Sequence, residues 1–245
     1  MVTKAAAGRS RASATSASPA RRPRRARRTT YHHGDLRRAL VDAAVAIIAE
    51  KGAEAFTLRE AARRLGVNHR AAYRHFADKA TLLAAVAEQG FRGLIEATRE
   101  QAAAEPGPIE RLTAAARAYV MFAAAHPAHF RVMFGPRLNE AAERPRRTRA
   151  AAAGAGDGGG SPFGTVDGLV EEAYRMLEGQ VREGMEAGLF AADAGPHPVI
   201  ALWAAIHGIA SLVLMKRVDV PPGKLGAWVD RIFERAINGL RPQGG

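Results

Sequence analysis

A chain of 245 residues with 47% hydrophobic residues, 24% charged residues and no cysteine can bury a core but cannot carry a disulfide framework, a thiolate zinc site or thiol redox chemistry. That composition suits a reducing cytoplasm, and the length exceeds one typical domain of roughly 100 to 200 residues. A formal charge of +12 points to a polyanionic partner, either nucleic acid or an acidic membrane surface.

Most of that charge sits at the start. Lys4, Arg9, Arg11, Arg21, Arg22, Arg24, Arg25, Arg27 and Arg28 fall within residues 1–30 with no acid among them, whereas the remaining residues are nearly balanced. Ala, Ser, Thr, Pro and Gly fill the gaps, so the segment lacks the apolar surface to offset its chain entropy and is expected to be disordered. It reads as a phosphate-seeking arm rather than a transit peptide, because no amphipathic period accompanies the arginines, and no secretory apolar core follows the early bases. The plainer alternative is a solubilising tail.

From residue 31 onward the pattern is helical, and the fold class expected is all-α with about nine helices. Leu36, Leu40, Ala43, Ala44 and Ile47 recur at three- and four-residue steps, predicting a helix over 34–51 that closes at Lys51-Gly52. Thr57-Leu-Arg-Glu60 has the spacing of a capping box and opens a second helix with Leu58, Ala61, Ala62 and Leu65 on its inner face. Gly66 ends it, Val67 turns inward, and Asn68 caps a third short helix. Two short helices joined by a tight glycine turn make a helix-turn-helix.

At about 100° per residue, His69, Arg70, Tyr73, Arg74 and Ala77 share one arc of roughly 140° on that third helix, while Ala72 and Phe76 project from another side. The outward groups are donors of the kinds that reach phosphate oxygens and guanine edges, and a short capped helix of this kind fits the major groove. A charged hairpin with a solvated face is the bland alternative.

The run from Ala43 to Leu83, with FTLREAARRLGVNHRAAYRHFADKATLL at its centre, resembles the DNA-binding domain of TetR-family transcriptional repressors. The resemblance implies that Tyr73, His75 and Lys79 grip the operator backbone, that Arg59 touches base or phosphate, and that His69 and Arg70 read bases. With Thr57 and Arg74 these form the candidate DNA-binding set. Family members often open this helix with Ser or Thr where Asn68-His69 stands here, and Ala71 has no polar reach, so no operator sequence follows.

A long fourth helix starts at Lys79, with Leu82, Leu83, Val86, Phe91, Leu94 and Ile95 inward, and breaks at Glu105-Pro-Gly-Pro108. A fifth helix runs to His126, followed by the short apolar stretch HPAHFRVMFG. Residues 135–163, with RPRRTR and GAGDGGGSP, read as a mobile loop. Three helices follow at about 164–188, 197–216 and 223–240. Val199 to Met215 is apolar nearly all round, and His207, Gly208 and Ser211 favour a core helix of a dimeric bundle over a membrane span. In the last helix Leu225, Trp228, Val229, Ile232, Phe233, Ala236 and Ile237, continued by Leu240, make a double-width apolar stripe expected at a homodimer interface.

WAAIHG at 203–208, after the HPAHFRVMF step at 126–134, is similar to the TetR subgroup whose C-terminal domain carries a Trp-x-x-x-His-Gly signature. Trp203 and His207 share a face, with Tyr119, Phe122, Phe130, Met133 and Phe134 as apolar candidates beside them. These seven are either a ligand wall or plain core packing, and core is the commoner fate of an aromatic stripe. Histidines 126, 129, 197 and 207 lack the spacing and acidic support of a metal site, and no cofactor is implied.

The domains expected are a basic tail (1–30), a helix-turn-helix reader (31–80) and a ligand-binding and dimerisation domain (81–245). The function expected is a homodimeric regulator, not an enzyme and not a membrane protein, that binds a palindromic operator as a repressor and is released by a small apolar effector. The alternative is sequence-independent binding of nucleic acid or an acidic surface through the tail. Deleting residues 1–28 should flatten the dependence of log affinity on log salt, each phosphate neutralised contributing about 0.9 to the slope, while site choice survives. Filter-binding titrations across a salt series measure both.

Overall fold

The computed structural model describes residues 33–136, 162–191 and 198–241, and every regular element among them is helical. The tail at 1–30 and nearly all of the segment at 135–163 lie outside the described residues. Helix α1 spans His33–Ala55, α2 Leu58–Arg64, α3 His69–His75, α4 Lys79–Ala103, α5 Pro108–Ala125 and α6 Pro127–Met133. Helix α7 spans Pro162–Glu186, so its first two residues are helix where a loop was expected, with Pro162 in the first turn, a place proline fits because the missing N–H has no partner there anyway. Helix α8 spans Pro198–Leu214, and α9, Leu225–Asn238, follows a single 3-10 turn.

The first three helices are held by small buried residues and specific caps. Leu40, Ala44, Ile47 and Ile48 of α1 are fully buried, with Phe56, Ala61 and Ala72 closing over them. Gly52 (φ 81°) breaks the helical backbone of α1, and Gly66 (φ 67°) lets the chain double back between α2 and α3. A side chain at either would be held in the left-handed region. Thr57 accepts the Glu60 N–H at 3.2 Å, but only this half of the anticipated capping box forms. The Glu60 carboxylate turns instead to the Lys51 ammonium, a charge-assisted partner stronger than a neutral amide. A complete box appears at Asp78 and Thr81, where each side chain accepts from the other's backbone N–H at 2.8 and 3.2 Å.

Helix α4 runs from this group into the rest of the molecule. Its Leu82, Leu83 and Val86 are buried near its start, and Phe91, Leu94 and Ile95 beyond them, as α4 packs on α1, α5, α6 and α7. Helix α6 lies against both α4 and α1. Gly90 suits that approach, since a Cβ there would sit 2.5 Å from Met133 Sδ and 3.1 Å from His129 Cβ and would force both to shift.

The stripe expected at a homodimer interface divides into a half buried within its own chain and a half left at the edge. Leu225, Val229, Phe233 and Ile237 are buried within their own chain, where α9 packs on α5 and α8, and Leu240 joins them. Trp228, Ile232 and Ala236 are only partly buried. A stripe two residues wide exceeded what one neighbour could cover, and the half that found α5 is core. Helix α8 leaves Ile200, Trp203 and Leu212 exposed, as is Met215 just beyond its end, while Val199, Leu202, Ile206, Ile209 and Ala210 are buried. No helix among the described residues is long and apolar enough to cross a membrane.

Truncating Phe233, which is fully buried, to alanine should therefore destabilise the subunit by about 3–5 kcal/mol, the range for a large aromatic lost from a core. Ile232→Ala should cost clearly less, and urea unfolding of both variants gives the comparison.

Candidate nucleic-acid interface and internal cavity

The α2–turn–α3 unit presents its polar side chains by exclusion: Ala72 and Phe76 are buried, so the opposite face of α3 must look out. His69, Arg70, Tyr73 and Arg74 are all exposed there, and Arg59 is exposed on α2. Asn68 Oδ1 accepts the Arg70 N–H at 2.9 Å, fixing where that helix begins and hence which residues occupy its first turn. Thr57 is used as the cap of α2.

Ion pairs sort the bases into two groups. Arg64 holds Glu50 with two bonds of 2.9 and 2.6 Å, tying α2 to α1 and keeping the Glu50 carboxyl below its usual range. Arg63 lies 3.9 Å from Glu60. Arg59, Arg70 and Arg74 have no acidic partner among the described residues, so their charge is left to the solvent or a ligand. His75 is half-buried rather than displayed. Lys79 donates from Nζ to the Glu54 carbonyl at 2.9 Å, at the end of α1, a position in which its charge complements the helix dipole. Arg37, absent from the expected set, lies over the Phe76 ring at 5.2 Å and adds an exposed guanidinium from α1 beside α3. Its only sequence signal was a base beside the apolar Leu36 on the polar side of α1, which many solvated arginines share.

A second feature, a cavity of about 790 Å³, lies among α4, α5, α7 and α8, within the size range of small-molecule sites. Phe91, Leu94 and Thr98 of α4 form one side, and Leu112, Ala116 and Tyr119 of α5 another. Met133 and Phe134 close one end. Val166, Val170, Tyr174 and Leu177 of α7 face them, with Ile200, Trp203 and Ile206 from α8. Four of the seven expected wall residues thus line it: Tyr119, Met133, Phe134 and Trp203.

The other three stand behind the wall. Phe122 stacks near His126 at 4.6 Å, away from the cavity. Phe130 and His207 stack at 5.4 Å, and Phe134 meets the same imidazole edge-on at 4.6 Å. His207 Nδ1 is 3.0 Å from the Tyr119 hydroxyl. Burial drives the Tyr119 phenol well above its ordinary range, against a smaller pull from the Trp203 indole, and burial lowers the His207 pKa. Both shifts favour neutral partners, which share one hydrogen bond between the phenol and Nδ1. The α7 contribution was missed in the sequence. Its apolar residues at 166, 169, 170, 173, 176 and 177 do recur helically, but nothing local says that this face borders a void and not a core. Among the described residues no group of three metal-ligating side chains converges.

The sequence model for bacterial regulatory proteins of the tetR family matches residues 40–86, and the model for tetracyclin repressor-like C-terminal domains matches residues 112–240. No curated protein matches the chain by sequence. A protein of unknown function from Rhodococcus sp. RHA1 superposes with a TM-score of 0.65 at 29% identity, covering 87% of this chain and 100% of its own. The ketosteroid transcriptional regulator KstR2 of Mycobacterium tuberculosis shares the fold with a TM-score of 0.59 at 20% identity, covering 84% of this chain and 95% of its own. AibR, solved with isovaleryl coenzyme A and operator DNA, does so with a TM-score of 0.58 at 16% identity, over 81% of this chain and 98% of its own.

Because folding keeps the imidazole neutral while the unfolded chain protonates it near 6.5, the His207 contribution is full above that pH and declines as the pH falls below it. His129, lowered by burial and by His126, acts in the same direction. Melting temperatures between pH 7.5 and 5 should fall for the natural sequence and fall less steeply for His207→Leu.

Proposed function

The chain belongs to the tetR family of bacterial regulatory proteins, and from that membership we propose that it is a homodimeric repressor that binds a palindromic operator and leaves it when a small molecule fills the cavity. The observation that carries the DNA-binding half is the set of exposed, acid-free bases on a capped recognition helix, Arg70 and Arg74 on α3 with Arg59 beside them. His69 and Arg70 stand in the first turn, where side chains of a recognition helix reach base edges. Tyr73, Arg74, His75 and Lys79 are assigned to the backbone, Lys79 through a charge already anchored at the end of α1.

Residues 31–80 then read DNA and residues 81–245 bind the effector and pair the subunits. The exposed apolar residues of α8, with the outer half of the α9 stripe, form the surface that a second copy would cover. The Trp203-x-x-x-His207-Gly208 step, with its indole on the cavity and its imidazole behind Tyr119, supports placement in the subgroup carrying that signature. Helix α6 offers the route between sites, since Met133 lines the cavity while α6 packs on α1. A ligand that needs Met133 and Phe134 displaced would prefer a state with α1 and the recognition helix moved, and would draw the population off DNA by mass action.

Selection from random duplex DNA should return a palindrome. Arg70→Ala should then relax discrimination at one position of each half-site by about 1–3 kcal/mol, whereas Tyr73→Phe should weaken operator and random duplexes alike. Equal losses on both DNAs for Arg70→Ala would remove the base-reading role and favour sequence-independent binding.

A further inference from the structure

The cavity has an electrostatic sign. Among the described residues its charged lining side chains are Asp167 and Glu171, and no lysine, arginine or histidine of that set lines it. Both acids lie on α7 one turn apart, exposed along the margin with Val170 and Tyr174. Asp167 has no ion pair or hydrogen bond among the described residues, and Glu171 has only the exposed Arg175 at 3.8 Å. Arg99, whose guanidinium reaches the wall residue Met176, is engaged by Glu172 at 2.7 Å, and Arg111, next in the chain to the wall residue Leu112, bonds Glu183 at 2.9 Å. His207 behind the wall is bonded to Tyr119, with its pKa lowered by burial.

Aromatic rings surround the same space. Phe91, Tyr119, Phe134, Tyr174 and Trp203 line it, and ring faces attract cations within about 6 Å. A carboxylate or phosphate entering here would be desolvated beside two acids, with no cationic side chain among the described lining residues to receive it. A cation would meet the opposite balance, as would the apolar body that carries it.

Resting on the reading of this cavity as the effector site, we infer that its ligand class is a cationic amphiphile, an apolar skeleton bearing an amine or quaternary ammonium, and not a fatty acid or an acyl-coenzyme A. Asp167 and Glu171 set that preference at the mouth while the aromatic walls take the skeleton.

Three probes of equal chain length isolate the charge: decyltrimethylammonium, decanol and decanoate, each below its micelle concentration and titrated calorimetrically into the full-length protein. Decyltrimethylammonium should bind on the order of tenfold more tightly than decanoate, as attraction to two solvent-screened carboxylates at contact would give. In the double variant Asp167→Asn, Glu171→Gln, both changes being at exposed positions, that ratio should fall to roughly threefold or less. Decanoate binding as tightly as the cation would leave the effector cavity standing and overturn the cationic class. A preference undiminished in the double variant would also overturn it, because the carboxylates would not be its source. If none of the three binds, decanol included, the effector reading of the cavity fails and this inference with it.

Discussion

Helix α4 is buried by different neighbours at its two ends, and both candidate sites depend on it. Its first turns place Leu82, Leu83 and Val86 in the core, and the Asp78–Thr81 box and the Lys79 bond to Glu54 lock its start to the end of α1. Further along, Phe91 and Leu94 become a wall of the cavity. Close-packed interiors do not absorb displacement gradually, so a helix held firmly at its start and bordering the cavity further along fixes the positions of the elements that build both candidate sites. Gly90 tightens the arrangement by bringing Met133 against the α4 backbone.

Charge is distributed by a simple rule in the helix-turn-helix. Acids are spent on bases that face neighbouring helices, Glu50 on Arg64 and Glu60 on Lys51, where a pair also fixes an interhelical approach. Among the described residues the outward face of α3 receives none. Exposed pairs contribute little to stability, so withholding acids from that face costs the fold little and leaves a field that a polyanion can use.

The cavity follows the opposite logic, since its polar groups are satisfied where they are deepest. Tyr119 is buried, and its hydroxyl is matched by His207, so the back of the chamber presents a completed pair to a ligand instead of an unmet donor. Polar chemistry is left at the margin, on α7. This arrangement also explains why His207 belongs to the site without touching its interior: it holds the Tyr119 ring through one hydrogen bond and packs Phe130 and Phe134 behind the wall.

Local periodicity and capping chemistry were enough to predict the helices, the glycine turn and the outward arc of α3, because each depends on residues within a few positions of one another. Leu58, Ala61, Ala62, Ala72 and Phe76 could be placed inward from spacing alone, and are. What spacing could not decide was which apolar faces meet protein and which meet space or a second copy. The α9 stripe is uniform in sequence, yet α5 covers one half and leaves Trp228, Ile232 and Ala236 at its edge. The aromatic residues at 119–134 and 203 look alike in sequence, yet Tyr119 and Phe134 border a void that Phe122 and Phe130 do not. The partner of Glu60 likewise came from Lys51, nine residues back, and not from the capping box three residues away. Each of these outcomes turns on contacts between segments distant in the chain, where hydrophobicity specifies burial but not the neighbour, and only the packed helices supply the neighbour.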